Sequence, residues 1–223
     1  MKTDYTAEGQ KTTAYRSEDN FSVTWQRFSN EVQLALPNFK IDAMNKSVIE
    51  SVLAYFASDR VKCQNAGLNL QKGLLLSGPV GCGKTTLMRL FSRQRYRIIS
   101  TREISRQFIQ NGHAGLEKYG AKSFVKKHTG YGKQICYDQP ITYCFDDLGV
   151  EPNAQHFGNE CNAMAEVLLD RYEQFISRGM LTHMTTNLNT HEIENLYGDR
   201  VRSRLREMFN LVSFPREAKD RRR

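Results

Sequence analysis

Long apolar runs are missing from this 223-residue chain. None approaches the ~20 residues that a membrane helix needs, which excludes a helical span. The opening stretch MKTDYTAEGQKTTAYRSEDN has no apolar h-region, so a secretory signal is not expected and a cytoplasmic chain is. Cysteine is sparse. Cys63, Cys82, Cys136, Cys144 and Cys161 are odd in number, far apart and without a C-x-x-C, which argues against a zinc site or a disulfide framework and for reduced thiols. Acid is in deficit: 24 Asp and Glu against 32 Lys and Arg leave a formal charge of +8, which permits a polyanionic partner without identifying one. There is no internal repeat and no low-complexity tract outside the termini. The length suits one full-sized domain and not two.

What is present is an alternation of helix and strand patterns. Residues 1 to about 20 are polar and expected to be mobile. From Phe21 to Leu36 apolar residues recur without one clean period, read as a short, mainly helical arm that Pro37 closes. NKSVIESVLAYFASDR is a helix, with Asn45 as candidate N-cap and Val48, Ile49, Val52, Leu53 and Phe56 at helical spacing. KGLLLSG reads as a buried parallel strand, followed by a helix from Lys84 to about Arg93. YRIIST and TREISRQFIQNG add a strand and a helix, and ITYCFDDL a third strand. Residues 159–178 read as one long helix with Met164, Leu168, Leu169, Tyr172, Phe175 and Ile176 on its apolar face and Gly179 at C′. MLTHMTTN, an arginine-rich helix and FNLVSF complete the series. The expected fold is α/β, a five-stranded parallel sheet sandwiched by helices.

GPVGCGKTT fits G-x-x-x-x-G-K-[ST] and lies between a strand and a helix, the context that motif requires. The loop runs from Gly78 through Pro79, Val80, Gly81, Cys82, Gly83, Lys84 and Thr85 to Thr86. Its glycines let successive backbone N–H groups turn toward phosphate oxygens, and the following helix adds the positive end of its dipole. Lys84 supplies a cation for the outer phosphates, and the Thr85 hydroxyl can ligate Mg²⁺. The metal-holding acid should end another apolar strand. ITYCFDDL supplies Asp146 for that role and Asp147 to orient or deprotonate a water. Asn187, in TTNLN, can hold that water or touch the γ-phosphate; a plain turn after a strand is the alternative.

In this order, GPVGCGKTT, CFDDLGVE, THMTTNLN and YGDRVRSRL resemble the AAA+ ATPases, and closely the branch of DnaC/DnaI-type helicase loaders and IstB-type transposition helpers. The resemblance covers about residues 38–215. It implies a P-loop NTPase domain with an AAA+ core over 37–215, which leaves an arm over 1–36, docking on that domain or on a partner, and a basic tail over 216–223. It also implies ATP and Mg²⁺, side-by-side homo-oligomers and a replicative helicase or a transposase as protein partner. Residue by residue, it makes Lys84 and Thr85 the phosphate and metal contacts, Asp146 the metal acid, Asp147 the catalytic acid and Asn187 the γ-phosphate sensor. Arg204 matches the arginine finger and Arg200 its neighbour, while Phe39, Ile41 and Asn45 match the stretch that flanks adenine. Most AAA+ enzymes carry glutamate where Asp147 stands, so slow turnover is expected unless a partner adjusts the site. With so little chain after the fifth strand, the helical lid is expected to be reduced or absent.

An arginine finger acts on the neighbour's ATP, so the anion awaited by Arg204 would belong to an adjacent subunit. Arg202 and Arg206 are read as solvated, and binding of DNA phosphates by the whole stretch stays open. A second basic region, KYGAKSFVKKHTGYGK, interleaves Lys122, Lys126 and Lys127 with Tyr119, Phe124 and Tyr131, as single-stranded DNA would suit. A solvated lysine face over core aromatics fits that stretch equally. Three functions compete: a helicase loader in DNA replication, a transposition helper, and a nucleotide-dependent binding module with little hydrolysis. A small-molecule kinase leaves TTNLN and the arginine helix unexplained.

Overall fold

The computed structural model describes residues 21–92, 95–129, 135–151, 154–156 and 159–221. They fall into two units, one of residues up to 41 with 49–70, the other of 42–48 with 71 onward.

The first unit is helical. Helix α1 (Phe21–Ala35) buries Thr24, Phe28 and Val32, a stripe at i, i+4, i+8, while Val23 and Leu34 face solvent. That stripe is the period the sequence hid, because α1 carries exposed apolar residues on its other side. Most of α2 (Lys46–Phe56) belongs here, burying Ile49, Val52 and Leu53. A short α3 (Arg60–Asn65), not expected from the sequence, is capped by Asp59, whose carboxylate accepts from the Lys62 N–H at 2.9 Å. The Lys62 ammonium lies 4.6 Å from the Phe21 ring centre.

The second unit is a parallel α/β layer structure. Its elements are β1 (Gly73–Ser77), α4 (Lys84–Ser92), β2 (Arg97–Ser100), α5 (Thr101–Asn111), a hairpin of β3 (Phe124–Thr129) and β4 (Ile135–Pro140), and β5 (Tyr143–Leu148). A small ribbon of β6 (Ala154–His156) and β7 (Asn159–Cys161) follows, then α6 (Ala163–Arg178), β8 (Thr182–Thr186), α7 (Thr190–Met208) and β9 (Phe209–Ser213). The sheet order is β2-β5-β8-β1-β9, every pair parallel. The five strands are those the sequence pattern marks. Leu75, Tyr143, Phe145 and Met184 point to one face, into a core shared with Ile104 and Phe108 of α5, Met164 and Leu168 of α6, and Val201 and Leu205 of α7. On the other face Tyr96 ties α4 to the sheet: its hydroxyl donates to the Met88 carbonyl and its ring lies 4.9 Å from that of His183.

Three points differ from the sequence pattern. The long helix begins at Ala163 and not at 159, because Asn162 caps it by accepting from the Ala165 N–H, and β7 precedes it; Gly179 ends it in the left-handed conformation as expected. On α6 Ile176 is exposed, and the residue that completes the buried stripe is Arg171. α7 is also broken, at Gly198 (φ 84°, ψ 162°), so the arginine segment is a helical segment of its own from Asp199 to Met208.

Candidate nucleotide-binding site

The glycine loop leaves β1 at its C-terminal end and feeds the first turn of α4. It is fixed at its start by the Gly78 N–H, which donates to the Thr186 carbonyl at the end of β8. Gly81 and Gly83 have φ of 78° and 106°, conformations that L side chains rarely adopt. Lys84 is buried and its ammonium sits inside the turn, donating to the carbonyls of Gly78 at 2.8 Å and Pro79 at 2.9 Å. Val80 stands out at the tip, whereas Cys82 is buried and its thiol is pushed up by that burial. Pro79, Thr85 and Thr86 are half-buried.

Thr85 lies in the first turn of α4, and its hydroxyl donates to the Asp146 carboxylate at 2.8 Å. The same carboxylate oxygen accepts from the Thr185 hydroxyl at 2.7 Å. A hydroxyl and a carboxylate in contact beside the loop are hard oxygen donors of the kind Mg²⁺ takes with retained waters, so the residues fit that ion. Asp147 follows with φ of 61°, one of two described non-glycine residues at positive φ. Asn187 is exposed just past β8 and lines a cavity of about 560 Å³ with Gly78 and Pro79 at the loop. The sheet edge thus brings together Lys84, Thr85, Asp146 and Asp147.

The arginines divide by face. Arg202 lines that same cavity with Arg206, and it pairs with Asp199 at 3.0 Å and Glu194 at 3.4 Å, so it is not simply solvated. Arg204 lies on the opposite side of the helix, its guanidinium 4.3 Å from the Tyr172 ring centre on α6 and 3.9 Å from Glu207. Arg200 is exposed. Phe39 and Ile41 belong to the helical unit. Asn45 is buried, and its side-chain oxygen accepts from the Asp42 N–H at 2.9 Å.

Of the basic segment, Lys122 is exposed and pairs with Glu117 at 2.6 Å. Lys126 and Lys127 are exposed on β3, and Tyr131 lies outside the described residues. Lys127 stands opposite Tyr137, and Lys126 opposite Asp138 on the other face of the ribbon. Tyr119 belongs to the core. Among the described residues the exposed aromatic of this ribbon is Tyr137, which the sequence did not single out because nothing marked β4 as a strand.

Sequence reasoning missed three further features. Thr185 and Thr101 bind the acid pair; the doubled threonine before Asn187 was the one available sign. Residues 214–221 pack along the glycine loop: the Phe214 N–H donates to the Ser77 carbonyl at 2.8 Å and the Arg221 N–H to that of Gly81 at 3.0 Å. A side chain at Gly81 would collide with the Asp220 carboxylate. Arg221 in turn forks onto Asp42 at 2.7 and 2.9 Å. Finally, Glu151 accepts from the buried Tyr197 hydroxyl and from the Gly149 N–H, joining the chain after the acids to α7.

No protein-family model matches the sequence, and no curated protein is similar to it in sequence. Solved structures share its fold. The crystal structure of the DnaC helicase loader superposes with a TM-score of 0.52 at 16% identity, over 85% of this chain and 99% of that one. A Streptococcus pyogenes serotype M3 protein proposed as a primosome component gives 0.52 at 16% identity, over 82% and 87%. The α/β fold with its five-stranded parallel sheet is shared with these structures, and the resemblance read from the motifs is met at the level of fold.

Proposed function

We propose that this chain binds and hydrolyses ATP as an AAA+ ATPase assisting DNA replication, in the manner of a helicase loader. One observation carries the reading: the glycine loop, Lys84 and the Thr85–Asp146 pair stand together at the C-terminal edge of a parallel sheet. There the loop N–H groups and Lys84 hold the phosphates, and Asp147 and Asn187 orient the attacking water. Thr85 and Asp146 would hold Mg²⁺, which would supply positive charge against the phosphates.

Arg204 serves the neighbouring subunit. Arg202 and Arg206 face the cavity that includes the chain's own Gly78, and Arg204 faces away from it, toward α6. A guanidinium lent across an interface stabilises charge on the transferring phosphoryl. Single-stranded DNA is assigned to the β3–β4 ribbon, where Lys127 and exposed Tyr137 share one face as a cation and a stacking platform.

The test is phosphate release with single-stranded DNA. Lys84→Ala and Arg204→Ala are each expected to lose turnover, and an equal mixture to recover part of it, because one supplies the finger and the other the loop. Turnover that Arg204→Ala leaves intact removes the finger; no release from the native chain under any condition removes the ATPase.

A further inference from the structure

The acid pair sits in a defect of the sheet. Between β5 and β8 the register runs Phe145 to Met184 and then Leu148 to Thr186, so Asp146 and Asp147 together oppose the single residue Thr185. This is a bulge, and such an insertion disrupts the ladder locally and re-aims the side chains in it. Asp147 absorbs the extra length by taking φ of 61°, where an aspartate is strained.

Both backbone groups of Asp147 are met by threonine hydroxyls. Its N–H donates to Thr185 Oγ1 at 2.9 Å. Its carbonyl accepts from Thr101 Oγ1 at 2.8 Å, from the first residue of α5. Thr185 is fully buried and uses its own proton on Asp146, 2.7 Å away. One hydroxyl therefore bridges the two acids, accepting from the backbone of one and donating to the carboxylate of the other. Thr101 holds the far side. Neither threonine belongs to the glycine loop, and both are buried away from the cavity beside it.

We propose that Thr185 and Thr101 are positioning residues for hydrolysis, clamping the bulge so that Asp147 is aimed at the water site while Asp146 is held beside Thr85. This rests on the ATPase reading above. The clamp depends on hydroxyls, not on bulk, because valine has the shape of threonine without the donor and acceptor. It acts on orientation, so it belongs in kcat and not in the grip on the nucleotide.

The experiment compares Thr185→Val, Thr185→Ser and Thr101→Val with the native chain in the presence of single-stranded DNA. ATP turnover, affinity for a fluorescent ATP analogue and exchange of the Asp147 amide are measured. Thr185→Val is expected to lower kcat at least tenfold with analogue affinity within about twofold, and to speed exchange of the Asp147 amide; Thr185→Ser is expected to stay near native in all three. Thr101→Val, which leaves the Asp146 contact in place, is expected to give a smaller fall in kcat and serves if Thr185→Val does not fold. Native kcat in both valine variants, or a serine variant as slow as valine, overturns the clamp. If the native chain hydrolyses nothing, the ATPase reading fails by itself. The clamp is then judged on exchange, and an Asp147 amide no faster in Thr185→Val than in the native chain overturns it too.

Discussion

Two arginine regions of this protein behave in opposite ways. Between Arg200 and Arg206 four guanidiniums are exposed or half-exposed on one short helix. Arg171, alone on α6, is fully buried. It donates to Thr182 Oγ1, Ser123 Oγ and the carbonyls of Tyr119, Ile141 and Leu181, five bonds in all. It also lies 5.3 Å from the ring centre of Tyr143 and 5.6 Å from that of Phe145. No carboxylate is among those bonds. Burial lowers its pKa to about 9, and the guanidinium stays charged because carbonyl oxygens and aromatic faces replace its water. Since Ser123 and Ile141 flank the β3–β4 ribbon, Arg171 fixes the root of that ribbon to α6 and β8. The clustered arginines stay at or near the surface; the arginine that organises the fold stands by itself.

The sharpest way to break the contrast is Arg171→Ala. Five acceptors lose their donor inside the core, at ~1–3 kcal/mol for each that water does not reach. Loss of at least ~4 kcal/mol in urea unfolding is expected, or failure to fold; a loss under 1 kcal/mol would make Arg171 a bystander. Arg204→Ala should do the reverse. Its unfolding free energy stays within ~0.5 kcal/mol of native, while assembled turnover falls ~10³-fold.

A pH titration sharpens the same comparison. His183, on β8 near Arg171, is fully buried, and burial with the Arg171 charge pulls its pKa down to about 3. Its Nδ1 accepts from the Leu74 N–H at 3.0 Å, which the neutral ring does. The unfolded ring takes a proton near pH 6.5 and the folded one does not, so stability is full above that pH and is lost below it, down to about pH 3. Between pH 6.5 and 5 this amounts to about 2 kcal/mol. His183→Asn, which keeps an acceptor, should flatten that slope; an unchanged slope would assign the acid sensitivity elsewhere.

The smallest effect is expected at Arg221→Ala. Burial raises the Asp42 pKa, but the Arg221 hydrogen bond and the Met44 N–H outweigh it and leave the carboxyl below its usual range. Asp42 in that pair is still about half exposed to water. Losing the pair should cost no more than ~1 kcal/mol, less at high salt, in the same urea assay.

How far the sequence reaches follows the same physics. The strands were legible where a short run of apolar or β-branched residues stands between helical patterns, as in GLLLS before Gly78 and YCFDDL ending in its acids. The glycine loop and Asp146 were legible because phosphate and Mg²⁺ chemistry fixes residue types at fixed offsets. Thr185 was not, since its role depends on a register slip between β5 and β8 that no single strand encodes. Arg171 was hidden because helical periodicity treats a charge as a break in an apolar stripe. Tyr137 and the β3–β4 ribbon escaped because alternating lysines and aromatics look the same on a hairpin and on a solvated loop.

Residues 214–221 lie along the glycine loop and are held there at Gly81, so a dye attached at exposed Lys219 would sit beside that loop. An environment-sensitive fluorophore placed there should change its emission when ATP enters the proposed site, and no change on adding ATP would count against that site.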